Sequence, residues 1–358
     1  MYYKNRQQKL QNKLQELNLD AFICNNQNNI AYLTNFSGST SIFVITHSKS
    51  YIITDFRYYT QVENECKNVE LVKVGNLKDC QARLIEFLPS FNFKNIGFES
   101  RHVSFETYNT WKEKLSGIEL LPKIDLVEDI MMIKDAEELE LIKNSIKITQ
   151  DALIDVIKQV REGITERELA ANLEFLMRKT GADKTSFDTI IASGWRAALP
   201  HASASDKKIK NGEFLIFDCG VQKDGYCSDI TRTIIPGEHT KHQEELWNLI
   251  HYAKNEAIKQ AKPGMGLKEL DSVARQIITD AGYGDNFGHG LGHGVGRMVH
   301  TKPKVDRHTE GTLEEGMIVT IEPGIYIENF GGIRLEDMVF ITKNGCEVLT
   351  TLPCSMNY

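Results

Sequence analysis

The chain contains no run of about 18 apolar residues, the length needed to cross a bilayer. It has no long Lys/Arg run, and its formal net charge is −7. Phosphate backbones are bound by concentrated basic faces, so nucleic acid is not an expected partner. No C-x-x-C pair occurs. The seven cysteines (24, 66, 80, 219, 227, 346 and 354) are odd in number and scattered, which reads as reduced thiols in a cytoplasm. The opening "MYYKNRQQKLQNKLQELNLD" is polar and helical and lacks the apolar segment of a secretory signal. No internal repeat and no low-complexity linker stands out. What remains is ordinary for a soluble globular protein, 41% hydrophobic and 25% charged.

At 358 residues the chain fits two domains, expected at 1–130 and 131–358. The first half alternates short strands and helices. Leu10, Leu14 and Leu17 mark one face of an opening helix, and "AFICN" reads as a strand. "SIFVIT" and "YIIT" read as a hairpin across "HSKS", with "VELVKV" and "NIGFE" as further strands and helices near 77–88 and 104–115. This is an α/β layer pattern. Asp55, Arg57 and Glu99 stand near strand ends and read as structural charges. From "LVEDIMMIKD" onward, Leu139, Ile142, Ile146, Leu153, Ile157 and Val160 fit one long amphipathic helix ending at Gly163. Thr165 and Glu168 form a capping box for the next helix. The remainder reads as strands, then helices over 238–261 and 267–281, then strands, an α+β arrangement.

The second half is where chemistry concentrates. "FGHGLGHGVGRMVH", residues 287 to 300, packs three histidines and five glycines into fourteen positions. Asp218 ends the apolar run "FLIFD". Asp229 follows in the return strand of a hairpin turned at Asp224-Gly225, and such a hairpin can bring two positions side by side. Glu322 sits inside "IVTIEPGIY" and Glu336 inside "IRLEDMVF". A single acid in a strand is ordinarily exposed or salt-bridged. Four carboxylates that converge cannot all stay ionised without compensation, because like charges in contact raise one another's pKa. Two divalent cations would neutralise them. Carboxylates with one imidazole make an oxygen-rich donor set, which favours Mn(II), with Co(II), Fe(II) or Zn(II) possible. Cys219 and Cys227 flank the acids and offer a thiolate alternative. Strand alternation turns Cys219 away from Asp218 and argues against it.

"FDCG…SDITRT", "HGLGHGVG", "IEPGIY" and "GGIRLED" occur in the order found in the pita-bread metallopeptidases, a group that includes methionine aminopeptidase, aminopeptidase P and prolidase. The resemblance covers essentially the whole chain. "TDFRYYTQ" is similar to a stretch of the N-terminal domain carried by proline-specific members and creatinase. It implies a C-terminal pita-bread fold behind a smaller α/β creatinase-like domain. It implies five metal ligands: Asp218, Asp229, His293, Glu322 and Glu336. Asp229 and Glu336 would bridge two ions, with a hydroxide between them as nucleophile. Asp218 would bind one ion, and His293 and Glu322 the other. Glu322 would also pass a proton to the leaving amine. His201 in "ALPHASASDK" and His300 match the pair that contacts the substrate carbonyl. His289 matches the histidine at the mouth of the leaving-residue pocket. His239, His242, His251 and His308 have no such match and read as surface residues. The glycines around His293 would let backbone pass close to metals and substrate.

Arg334, two positions before Glu336, is similar to the arginine by which the proline-specific branch positions substrate or neighbouring ligands. Methionine aminopeptidases lack it and usually lack the N-terminal domain. One departure is "GRMVHTKP": Arg297, Met298 and Thr301 stand where proline-specific members carry other residues, and the arginine resembles the methionine-aminopeptidase style. The expected activity is hydrolysis of the bond between an N-terminal residue and proline in peptides, an Xaa-Pro aminopeptidase. An Xaa-Pro dipeptidase is the alternative, ahead of a methionine aminopeptidase or an inactive binding module. The branch commonly forms homodimers, so a homodimer is expected. No membrane or nucleic-acid partner is expected.

Overall fold

The computed structural model describes residues 2–357. The chain divides into two compact units between Met131 and Met132. Among the described residues, no helix is long and apolar enough to cross a membrane.

The first unit is built on a six-stranded mixed sheet. Its strands run, edge to edge, Glu70–Lys73, Ser50–Thr54, Ile42–Thr46, Ala21–Cys24, Asn95–Glu99 and Glu119–Lys123. The Ile42–Thr46 and Ser50–Thr54 strands form the antiparallel hairpin that "HSKS" suggests. Strand alternation sorts the apolar side chains onto two faces. Phe22 and Cys24 join one cluster with Leu10 and Leu14 of the opening helix. Ala21 and Ile23 join the other, with Leu84 and Trp111 of helices Cys80–Phe87 and Phe105–Lys114. The opening helix stops at Glu16, so Leu17 lies beyond it and is exposed. Glu99 accepts from the backbone N–H groups of Asn25 and Asn26 and from the Asn29 amide. Asp55 accepts two bonds from the Arg57 guanidinium. Both therefore fix local turns.

The stretch from Leu126 onward holds two helices, the short Leu126–Met131 and Ala136–Ile157, the long amphipathic helix expected from the sequence. Asp135 separates them by starting a new N-terminus: its carboxylate accepts from Glu138 N, and the Glu138 carboxylate accepts from Asp135 N. The second helix ends at Ile157, short of Gly163. Thr165 and Glu168 do form the capping box of the next helix, Glu166–Lys179.

The second unit uses one arrangement twice: a pair of helices followed by a bent hairpin. Helices Ala136–Ile157 and Glu166–Lys179 precede a hairpin of strands Leu215–Cys219 and Ile230–Ile234. That hairpin continues past a bend as Val221–Lys223 and Tyr226–Cys227, turned at Asp224-Gly225 with φ of 50° and 80°. Helices Lys241–Gln260 and Leu267–Asp280 precede strands Ile318–Ile321 and Asp337–Ile341, which continue past a bend as Gly324–Ile327 and Gly331–Arg334. The sequence reads "MIVTIEPGIYIE" as one strand. Pro323 lacks an N–H and ends the ladder, and the chain moves from a five-stranded sheet to a two-stranded one.

Period-2 alternation explains the inner face. Leu215, Phe217 and Cys219 pack with Leu153 and Leu173 beneath the first helix pair. Val319 and Ile321 pack with Trp247, Ile250 and Leu270 beneath the second. The intervening residues, Asp218, Thr231, Thr233 and Thr320, point the other way. There, Thr233 Oγ1 donates to Arg334 O at 2.7 Å, and Thr231 Oγ1 donates to a Glu336 oxygen at 2.8 Å. The polar faces of the two hairpins meet inside the unit.

Candidate active site

Three of the four carboxylates are placed by the bends. Asp218 lies near the end of its strand and pairs across the ladder with Thr231, not with Asp229. Asp229 stands two residues before Thr231, in the break between Tyr226–Cys227 and Ile230–Ile234. Glu322 and Glu336 are not inside strands, as their apolar flanks suggest. Each occupies the break in one arm of the second hairpin. A bend interrupts the ladder and frees the side chain to turn inward.

Among the described residues, Asp218, Asp229 and Glu336 each bring one oxygen within 4.8 Å of the others, and all three are buried. Burial, then the facing Glu336 and Asp218 charges, push Asp229 well above the usual carboxylate range. Burial, then Glu322 and Asp218, do the same to Glu336. Burial raises Asp218 as well, against the pull of Arg334. Among the described residues, Asp218 Oδ1 and Glu336 Oε1 are buried with no hydrogen-bond partner. Orphaned buried carboxylate oxygens are costly in a finished core. They fit a site that holds cations.

His293 completes the cluster. Its ring Nδ1 lies 3.1 Å from its neighbour's carbonyl, Gly294 O, so Nδ1–H donates there. That leaves Nε2 facing Glu322 Oε1 at 3.2 Å and Asp229 Oδ2 at 3.6 Å. A neutral Nε2 and two carboxylates are all acceptors, an arrangement that requires a proton or a metal cation between them. Burial opposes charging the ring, but Glu322 raises the His293 pKa. Burial also opposes ionising Glu322. The hydrogen bond and charge of His293, with His289 and Arg334, bring it down to about 2. Thr320 Oγ1 accepts from His293 N and donates to Glu322 Oε1, both at 3.0 Å, fixing the pair.

The glycines beside His293 serve packing rather than ligand access. A Cβ on Gly292 would stand 2.0 Å from Thr320 O, and one on Gly294 would stand 2.0 Å from Lys302 O. The His293 strand is thereby drawn close between both neighbours.

The other expected residues surround this cluster. The His300 ring lies 4.3 Å, centroid to centroid, from His293. Burial lowers the His300 pKa, then His293, and His201 is close enough to add to the effect. His201 itself is exposed, on the loop after the 3₁₀ turn Gly194–Ala198. His289 Nδ1 lies 2.8 Å from Gly290 O, and its Nε2 lies 3.0 Å from Tyr326 Oη. With Nδ1–H on the carbonyl, Tyr326 donates to Nε2 and accepts from Arg334 Nη1 at 2.7 Å. Burial keeps His289 below the usual imidazole pKa, consistent with that neutral form.

Arg334 is buried. Nη2 donates to Asp218 Oδ2 at 2.5 Å, and Nε donates to Thr231 Oγ1 at 3.2 Å. Its fork thus holds Asp218 and Tyr326 in place. Cys219 is buried in the apolar cluster under the first helix pair, away from the acids. The Arg297 guanidinium stacks over the Tyr226 ring at 5.2 Å, beside the Asp224-Gly225 turn.

This arrangement falls within a segment, residues 140–343, that matches the model of metallopeptidase family M24. The chain belongs to that family. Residues 6–133 match the creatinase/prolidase N-terminal domain. The Xaa-Pro dipeptidase of Pyrococcus furiosus is 40% identical over 97% of this chain and 98% of its own length. Among solved structures, an Xaa-Pro dipeptidase from Bacillus anthracis superposes with a TM-score of 0.96 at 35% identity, covering 99% of both chains. The X-Pro aminopeptidase from Thermotoga maritima superposes at 0.90 with 39% identity, over 96% of this chain and 99% of its own. A creatinase-type domain followed in sequence by a pita-bread domain is thus the fold of this protein, and an M24 metallopeptidase works with divalent metal ions.

Three further residues around the cluster are not among those expected from the sequence. Tyr326 joins His289 to Arg334, Thr231 holds Glu336, and Thr320 holds His293 and Glu322. All three sit inside the quoted motifs. Thr231 and Thr320 were discoverable from their polar type at inward strand positions among apolar neighbours.

Proposed function

We propose that this metallopeptidase cleaves the bond between an N-terminal residue and a following proline, with Xaa-Pro dipeptides preferred over longer peptides. The observation that carries it is the buried group of Asp218, Asp229 and Glu336 with two unpartnered oxygens, closed by His293 and Glu322. The names of the Pyrococcus and Bacillus relatives favour the dipeptidase, and that of the Thermotoga relative keeps the aminopeptidase as second reading.

Asp218, Asp229, His293, Glu322 and Glu336 would hold two divalent ions, in the C-terminal domain of residues 131–358. The oxygen-rich donor set favours Mn(II). When bound, the cations supply the Lewis acidity that makes water nucleophilic near neutral pH. Glu322 stays ionised at neutral pH, and it accepts the proton lost by the attacking water and passes it to the departing proline nitrogen. His201 and His300 hold the substrate carbonyl and stabilise the oxygen that becomes negative. Neutral His289, oriented by Tyr326, borders the proline subsite. Arg334 acts on substrate through Asp218 and Tyr326, since its fork is engaged there. A homodimer belongs to the same reading through the family resemblance. A cytoplasmic location is supported by the free state of all seven cysteines.

The test is a competition assay. Purified protein, stripped and reloaded with Mn(II), is incubated with Ala-Pro, Ala-Pro-Ala and Met-Ala-Ser together, and products are read by mass spectrometry. Loss of Ala-Pro first supports the dipeptidase, and loss of Ala-Pro-Ala first supports the aminopeptidase. Cleavage of Met-Ala-Ser alone overturns the proline assignment.

A further inference from the structure

We propose that Glu166 is a positioning residue for His201: its carboxylate clamps both ends of the loop that presents the imidazole. The inference rests on the role given to His201 above. Glu166 is fully buried at the start of helix Glu166–Lys179. Oε1 accepts from Ser193 N at 2.8 Å and Ser193 Oγ at 2.9 Å. Oε2 accepts from Arg196 Nε at 2.9 Å, Ser205 N at 3.1 Å and Ser205 Oγ at 2.6 Å. Ser193 precedes His201 and Ser205 follows it, so one carboxylate closes the loop.

Capping does not account for this residue. The helix N-terminus is already closed by Thr165 and Glu168, each accepting from the other's backbone N–H. The five donors to Glu166 come instead from Ser193, at the end of strand Ile190–Ser193, and from Arg196 and Ser205 beyond it. Apolar burial on that loop is confined to the small side chains of Ala197 and Ala202, while Trp195, Leu199 and His201 are exposed. Near the imidazole, Arg334 Nη1 reaches Pro200 O at 3.4 Å, a long contact beside the five made by Glu166. A buried carboxylate is tolerated only when its oxygens are satisfied, so clamp and loop conformation form together. Without the clamp the loop regains backbone freedom, and a misplacement of about 1 Å in a catalytic group can cost about 100-fold in rate.

The test is a double-mutant cycle on Mn(II)-loaded protein with Ala-Pro. Glu166→Gln keeps the shape but turns an amide NH₂ toward donors. It is expected to lower kcat by about 10- to 100-fold, to leave two metal ions per chain, and to shift KM little. In a His201→Ala background the same substitution is expected to cost less than about 2-fold, because the group it positions is gone. Equal losses in both backgrounds would mean general structural damage and would overturn the proposal, as would no loss in the wild-type background. If His201→Ala alone keeps wild-type turnover, the role of His201 fails first and the clamp loses its purpose. If Glu166→Gln does not fold, Ser205→Ala removes a single donor and is expected to cost about 3- to 10-fold, with the same dependence on His201.

Discussion

Arg334 and Asp218 form a buried pair in which Nη2 reaches Oδ2 at 2.5 Å while Asp218 Oδ1 has no partner among the described residues. One oxygen is fixed by the arginine and the other is left for a cation. The guanidinium therefore sets the direction of a proposed metal ligand, and it ties that ligand to Tyr326 and His289 on the substrate side.

Arg334→Lys should weaken metal binding. A lysine cannot span Asp218, Thr231 and Tyr326 from one planar fork. Loss of an orienting outer group typically costs about 10- to 100-fold in metal affinity, and that range is expected in a competitive chelator titration. Unchanged affinity would leave Arg334 with a role toward substrate only.

Metal-free protein should become more stable on mild acidification. Asp229, Glu336 and Asp218 have raised pKa values in the fold, so the native state holds protons that the unfolded chain has released. Their contribution is complete below the ordinary carboxylate range near pH ~4 and is lost as pH rises through the raised values. Glu322 acts oppositely: its contribution is present above its ordinary pKa and is lost as pH falls toward about 2. The melting temperature in EDTA should therefore rise from pH 8 toward about pH 5 and fall in stronger acid. Metal-loaded protein should show the reverse in the upper range, since protons displace the ions.

Glu322→Gln should bind Ala-Pro but turn it over at least about 100-fold more slowly, because proton transfer by a positioned side chain is worth about 10²–10⁴. Stopped-flow or mass-spectrometric turnover at measured metal content checks this. Full turnover with both ions bound would remove Glu322 from the chemistry.

Arg232→Met should damage the fold more than any surface change. Arg232 is buried and donates to Thr231 O at 3.0 Å, Glu336 O at 2.5 Å and Leu352 O at 2.5 Å, and pairs with Asp337 at 2.8 Å. Lys254 also pairs with Asp337. Removing one partner of a buried charge cluster typically costs about 3–5 kcal/mol, to be read from the urea midpoint at constant m-value.

Much of this was legible in the sequence, for physical reasons. Asp218 and Glu336 stood out because carboxylates among apolar strand residues need a compensating partner. Thr165 and Glu168 announced a helix start through local hydrogen bonds. Pairings across long sequence separations were not legible. That Glu322 and Glu336 occupy bends depends on two sheets diverging at Pro323, and that Thr231 holds Glu336 depends on two hairpins meeting. The glycines beside His293 were read as space for a ligand; carbonyls of neighbouring strands fill that space. By sequence position alone, Arg297 resembles the methionine-aminopeptidase style. Its guanidinium lies over Tyr226, at the Asp224-Gly225 turn.

The most direct measurement is a titration of stripped protein with Mn(II), following bound ions by calorimetry and Ala-Pro hydrolysis in the same samples. Two ions per chain should bind, with hydrolysis rising as the site fills, and Asp229→Asn together with Glu336→Gln should abolish both. Hydrolysis by fully stripped protein, or two bound ions with Ala-Pro and Ala-Pro-Ala both untouched, would contradict a dinuclear Xaa-Pro peptidase.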